Sequence, residues 1–242
     1  MPTNAPATAE SSTPTRALVI LAHPDDPEFG AGGTVARWVD AGIEVHYVIV
    51  TDGSKGSGDP AMTPTRLAAI RVEEQRAAAA VLGVGEVVFL GFRDGEIAPD
   101  LTLRHAITRE IRRWQPDIVV THDPASLYWD NAINHPDHRA VGQATLDAIY
   151  PTARDRLNAP HLLVEGLEPH AVREIYLTGP HAADTWIDIG ATLDRKLAAL
   201  RAHASQIKDF DALEVRLRER YAKLAEGRGM AYAEAFKRIV FL

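Results

Sequence analysis

The sequence predicts an α/β fold: an open, mostly parallel sheet with helices on both faces and a helical segment at the C-terminal end. Three observations carry that expectation. Short apolar runs alternate with longer stretches of helical periodicity along most of the chain. The apolar runs are continuous rather than alternating, as strands covered on both faces require. Glycine closes two of the helical stretches, at Gly42 and Gly83, where the left-handed conformation of a helix end costs least.

In chain order, ALVILA (Ala17 to Ala22) is a buried strand, and TVARWVDAG after it is a helix that stops at Gly42. EVHYVIVT (Glu44 to Thr51) is a second strand, ended by Asp52-Gly53. From Thr65 to Leu82 an alanine-rich stretch reads as helix, alanine being the strongest helix former. Glu86 to Phe92 is a third strand, TLRHAITREIRRWQ a third helix and Asp117 to Asp123 a fourth strand. Pro136 suits the first turn of the next helix, HRAVGQATLDAIY, because its missing N–H is not needed there. REIYLTG and WIDIG read as later strands. The last segments, TLDRKLAALRAHASQI, ALEVRLRERYAKLAEG and AYAEAFKRI, read as helices. This order is Rossmann-like, and in such sheets ligands sit beyond the carboxyl ends of the strands, near a switch in strand order.

Of the 242 residues, 46% are hydrophobic and 24% charged, enough to bury one sizeable core. Residues 16–242 contain no repeat or compositional break and read as a single domain. Residues 1–15, rich in Pro, Thr, Ala and Ser, read as a disordered leader. That stretch lacks the basic start and apolar run of a signal peptide, and nowhere is the chain apolar for the length of a membrane span. A cytoplasmic protein without membrane insertion is expected. The net charge of −7 gives no basic footprint for nucleic acid, and nothing in the composition bars a homo-oligomer. The chain has no cysteine, which excludes disulfides, thiolate metal sites and a cysteine nucleophile. Any tightly held metal must use imidazole and carboxylate, a ligand set suited to an open catalytic site.

Directly after the first strand comes His23-Pro24-Asp25-Asp26-Pro27-Glu28, in which four of six residues can bind a metal or move a proton. After the fourth strand comes Asn134-His135-Pro136-Asp137-His138. Each motif alone is read equally well as helix capping and turn chemistry. A parallel sheet, however, opens both onto one edge. A catalytic zinc needs three nitrogen or oxygen ligands and an open position for water. His23 and Asp26 supply two ligands, one histidine of the second motif the third, and the remaining carboxylate takes a proton from the metal-bound water. On these grounds alone Asp25 and Asp26 are free to exchange roles, and so are His135 and His138.

The first motif, with Glu28-Phe29-Gly30 and Gly32-Gly33-Thr34, and the second, His135-Pro136-Asp137-His138, resemble the LmbE-like family. This is the N-acetylglucosaminyl-phosphatidylinositol de-N-acetylase (PIG-L) superfamily of zinc amidohydrolases. The matching elements run from about Leu18 to Ala148, with an echo from Lys196 to Gln206. The resemblance implies zinc held by His23, Asp26 and His138, a ligand set that also accepts other divalent metals, with Asp25 as general base. His135 would then stabilise the carbonyl oxygen or protonate the leaving amine, and Asp137 would hold a histidine ring. Arg71 and Asp94 match substrate contacts that bond sugar hydroxyls. The implied reaction is removal of an N-acetyl group from an amino sugar or sugar conjugate. Alternatives are an amidase on another small-molecule amide conjugate and a nucleotide-dependent enzyme on a similar fold. Two departures bear on the substrate: Pro27 stands before Glu28, and the loop SLYWDNAIN offers only Tyr128 where several sugar deacetylases carry a catalytic tyrosine.

Other signals are weaker. Phe29 to Gly33 does not meet the dinucleotide pattern G-x-G-x-x-G and reads as close helix-to-sheet packing. TDGSKGSGD lacks the glutamate a calcium loop needs and reads as a flexible lid beside the substrate. Asp123 reads equally as support for a ligand histidine or as a turn former. His203 reads as surface or, by the match of its segment to the family, as part of the site.

Overall fold

The structure, a computed structural model, describes residues 13–241. The leader expected over 1–15 therefore lies outside the described residues as far as position 12. Thr15 is anchored, its backbone N–H donating to Asp117 Oδ2 at 2.7 Å.

The strands are β1 (Arg16–Leu21), β2 (Glu44–Thr51), β3 (Val87–Phe92), β4 (Ile118–His122), β5 (Tyr128–Trp129), β6 (Ala132–Ile133), β7 (Glu174–Thr178), β8 (Thr185–Asp188) and β9 (Ala233–Val240). The helices are α1 (Asp26–Asp40), α2 (Pro64–Leu82), α3 (Leu101–Trp114), α4 (Pro136–Asp147), α5 (His161–Val164), α6 (Leu193–Leu200) and α7 (Phe210–Ala225). Seven strands form one sheet in the order β3-β2-β1-β4-β7-β9-β8, and β5-β6 is a separate hairpin. The first five strands of that order run parallel, and β9 lies antiparallel between β7 and β8. The mostly parallel sheet agrees with the sequence-based expectation.

The continuous apolar runs have their reason in this layering. Ala17, Val19 and Leu21 pack with Ala31 and Val35 of α1 and Ala78 and Leu82 of α2 on one face. Leu18 and Ile20 pack with Leu103 and Ile107 of α3 and Val141 of α4 on the other. Both faces being covered, each fully buried Leu or Ile contributes roughly 1.5–3 kcal/mol, which favours continuous apolar runs.

Three expectations need correction. AYAEAFKRI is not a helix: Ala233–Val240 is β9. Phe236 is fully buried and packs against Tyr176, and the backbone pairs with strands on both sides. That pairing overrides the helix propensity of alanine and glutamate. The same strand brings Glu234 to α1, where its carboxylate accepts from the N–H groups of Gly33 and Thr34 at 2.9 and 2.8 Å and pairs with buried Lys196. The helix expected over TLDRKLAALRAHASQI is also shorter, α6 ending at Leu200 with turns over most of 201–206. Finally, α1 starts at Asp26, so the acidic motif is itself the helix start and Gly30, Gly32 and Gly33 lie inside the helix. A Cβ on Gly33 would stand 2.7 Å from Ile189 Cγ2, in keeping with the packing reading of those glycines.

A second close approach fixes α4 against the sheet. A Cβ on Gly142 would meet the backbone oxygen of His122 at 2.5 Å. Gly142→Ala is therefore expected to cost about 1–3 kcal/mol by overpacking, read as a lowered denaturant midpoint. An unchanged midpoint would mean that the helix retreats freely.

Candidate active site

Strands β2 and β3 follow β1 on one side, and β4 lies on the other, so the strand order switches between β1 and β4. Such a switch opens a crevice at the carboxyl ends of the strands. The chain leaves β1 into His23-Pro24-Asp25, leaves β4 at His122, and returns through the β5-β6 hairpin to 134–138 at the start of α4.

His23, Asp26 and His138 converge there. His23 Nδ1 lies 3.2 Å from Asp26 Oδ2 and 3.3 Å from His138 Nε2, and His138 Nε2 lies 3.2 Å from Asp26 Oδ1. A tetrahedral ion bound at about 2.0–2.1 Å sets neighbouring ligand atoms about 3.3 Å apart. The three side chains therefore converge closely enough to hold a divalent metal, with Asp26 facing His23 through Oδ2 and His138 through Oδ1. His23, His135 and Asp137 make a second close group, but its members have other bonds.

The remaining ring nitrogens are held. His138 Nδ1 lies 3.1 Å from Asn134 Oδ1, and Asn134 Nδ2 donates to the Ser126 carbonyl at 2.6 Å. An acceptor at Nδ1 keeps the proton there and leaves Nε2 free to bind. His23 Nε2 lies 3.3 Å from both Asp137 Oδ2 and Asp94 Oδ1. Burial opposes a charge on His23, but bonds to Asp137, Asp26 and Asp94 outweigh it and push the ring up to about 12. Three carboxylates around one imidazole are a site short of positive charge. Behind them His122 stacks on His138 with ring centroids 4.0 Å apart and accepts from the Ala22 N–H at 3.1 Å. Burial pushes His122 down to about 4, so it is neutral.

Asp25 occupies the left-handed region, φ 96° and ψ −29°, at the N-cap of α1. That conformation costs a non-glycine residue roughly 1–3 kcal/mol, and a buried relay offsets it. Gln75 Oε1 accepts from the Asp25 N–H at 2.8 Å, while Gln75 Nε2 donates to both Glu28 oxygens at 3.0 and 3.1 Å. Glu28 Oε2 in turn meets His203 Nε2 at 3.0 Å. His203 is thus fully buried rather than at the surface. Arg71 Nη2 pairs with Asp25 Oδ2 at 3.1 Å and also donates to the Pro24 carbonyl, while Nη1 donates to Gly53 O at 3.0 Å. Burial and the neighbouring Asp26 push the Asp25 carboxyl up to about 7, against the pull of Arg71.

His23, Asp25, Lys55, Gly56, Arg71, Asp94 and His135 line one open pocket. The segment read as a lid supplies two of them. Asp94 also accepts from the Lys55 N–H at 2.9 Å. His135 caps α4, its Nδ1 accepting from the Asp137 N–H at 3.2 Å. Asp123 is a turn former: its oxygens accept from Ala125 N at 2.9 Å and Ser126 Oγ at 3.3 Å, and the support expected for a histidine comes from Asn134 instead. Sequence reading passed over Asn134, four residues before His138 and so on the same side of the helix start. Gln75 carried no signal, because a glutamine in a helix is usually solvated. Tyr128 is 61% exposed and does not line the pocket.

The family model for GlcNAc-PI de-N-acetylase (PIG-L) matches residues 18–149, which contain both motifs. The chain belongs to the PIG-L family. Among PIG-L relatives, the diacetylchitobiose deacetylase of Thermococcus kodakarensis is 33% identical over 92% of this chain and 82% of its own. A 1D-myo-inositol 2-acetamido-2-deoxy-alpha-D-glucopyranoside deacetylase of Nakamurella multipartita is 30% identical over 82% of each chain. The crystallised N,N'-diacetylchitobiose deacetylase of Pyrococcus horikoshii superposes with a TM-score of 0.87 at 33% identity, covering 94% of this chain and 84% of that one. Among the described residues of this PIG-L protein, no helix is long and apolar enough to cross a membrane.

Proposed function

We propose that this protein removes an N-acetyl group from an amino sugar or sugar conjugate by hydrolysis, with His23, Asp26 and His138 holding zinc and Asp25 as general base. The observation that carries the reading is the convergence of His23 Nδ1, His138 Nε2 and the Asp26 carboxylate within 3.3 Å of one another, beside a pocket lined by Asp25 and His135. Deacetylase relatives of amino sugars support it.

When bound, the ion acidifies a water toward a pKa of about 7 and polarises the acetamide carbonyl. Asp25 takes the proton as the water oxygen adds to the carbonyl carbon, and hands it to the departing nitrogen as the C–N bond breaks. A carboxyl whose own pKa lies near neutrality suits both transfers. His135 offers Nε2–H to the carbonyl oxygen as that atom gains charge, because Nδ1 already accepts from Asp137 N. Burial lowers the pKa of His135, which keeps the ring neutral. Asp137 orients His23, and Arg71 and Asp94 border the pocket as contacts for sugar hydroxyls. Acetate and a free amine leave.

The test is acetate and amine release from N-acetylglucosamine and N,N'-diacetylchitobiose by zinc-loaded protein; release from neither overturns the reading. The relay behind the base gives a second expectation. Gln75→Leu leaves the Asp25 N–H and Glu28 without their partner, and is expected to cost about 1–3 kcal/mol of stability and up to about 10²-fold in kcat through misplacement of the base. Metal stoichiometry should stay at the wild-type value. Undiminished kcat in the folded variant would show that Asp25 holds its own position.

A further inference from the structure

The chain carries a net charge of −7, yet its largest cavity is cationic. This cavity, about 890 Å³, lies between α7, the loop after β7 and the β5–β6 hairpin. It shares no lining residue with the metal pocket. Arg216, Arg220, Lys223 and Arg228 line it, against Glu219 and Glu234. Buried Lys196 already neutralises Glu234 at 2.5 Å, so positive charge is in surplus.

Helix α7 divides its charges by face. Arg218 pairs with Asp194 and Glu214 at 2.7 and 2.8 Å. Arg216, Arg220 and Lys223 stand at i, i+4 and i+7, on the face turned to the cavity. Among the described residues none of these three forms an ion pair. Like charges at that spacing destabilise a helix, and an anion laid across them removes the repulsion. Arg216 and Lys223 are about 10 Å apart along the axis, a span that suits a chain of phosphates better than a single one.

The hairpin and the loop after β7 supply the aromatic part of the lining. The rings of Trp129 and His181 lie 6.2 Å apart, centroid to centroid. Trp186 carries the Arg228 guanidinium 3.8 Å from its ring centroid, which fixes that cation in place.

We propose that this cavity binds a nucleoside di- or triphosphate. The arginines take the phosphates through paired N–H donors, and Trp129 with His181 takes the face of the base. The volume lies within the roughly 300–1,000 Å³ of pockets that hold small-molecule ligands. No residue of the metal pocket takes part, so the site stands apart from the deacetylase reading.

The experiment is calorimetric titration of ATP, tripolyphosphate and adenosine into the zinc-loaded protein, with Arg220→Glu, Trp129→Ala and His138→Ala in parallel. ATP is expected to bind about tenfold tighter than tripolyphosphate, through stacking of the base, and far tighter than adenosine. Arg220→Glu, at an exposed position, should weaken both phosphates by about tenfold or more. Trp129→Ala should bring ATP to within about threefold of tripolyphosphate. His138→Ala should bind ATP as the unmutated protein does. No binding of ATP, equal binding of ATP and tripolyphosphate, or an affinity untouched by Arg220→Glu overturns the site. So does an ATP preference that survives Trp129→Ala. Binding that is lost in His138→Ala belongs to the metal and also overturns it. If a second copy of the chain covers the cavity instead, Arg220→Glu lowers the oligomeric mass and ATP does not bind, which overturns it too.

Discussion

Asp25→Asn is expected to lower kcat for deacetylation by about 10²–10⁴-fold, the usual contribution of a positioned general base, with metal content and KM close to wild type. The amide keeps the size of the side chain and an oxygen for Arg71, which pairs with Asp25 Oδ2 at 3.1 Å, but it cannot accept the proton. The backbone relay through Gln75 acts on the Asp25 N–H and survives the change. Asp25 also lines the pocket and makes none of the three close ligand contacts. Asp26, by contrast, lies within 3.4 Å of His23, His122 and His138. Measured by amine release and by metal analysis of the same sample, a variant that keeps both its metal and its rate would remove Asp25 from the base role.

His138→Ala should abolish both metal binding and turnover. The side chain is a quarter exposed, so the loss of fold stability is expected to be small, and the effect should appear as metal loss rather than unfolding. Asn134→Ala provides the graded control, because it leaves the ligand but removes the acceptor at Nδ1. Loss of such an outer partner costs about 10–100-fold in metal affinity, and His138→Ala should exceed that range. Chelation of the wild-type protein should likewise stop turnover, and added zinc should restore it. Turnover that persists after the metal has been removed would exclude the assigned ligands from the reaction.

The parallel part of the sheet was legible because its strands are covered on both faces and so are mostly apolar: Ala17 to Leu21 are all fully buried. The crevice was legible from the same pattern, since both motifs follow strands at the carboxyl edge. β9 was hidden because its alanines and Glu234 favour helix locally, and only pairing with β7 and β8 makes them a strand. His203 was misplaced for a similar reason. Its partner Glu28 is 175 residues away, and nothing near His203 in the chain marks it as buried.

By itself, the sequence determined which groups a metal could use and where along the chain they cluster. Without cysteine a metal falls to imidazole and carboxylate, and the turns after β1 and before α4 concentrate those groups within a few residues. Tertiary structure alone decided how those groups are oriented. His23 turns Nδ1 toward Asp26 and His138 because Asp94 and Asp137 take its Nε2. His138 offers Nε2 because Asn134 takes its Nδ1. Asp25 stands apart from Asp26 because Gln75 and Arg71 hold it in a left-handed turn. The physical reason is range. Residue type and turn position are properties of a short stretch of chain, whereas the bonds that orient Asp25 and the His23 ring come from residues 46 to 114 positions away.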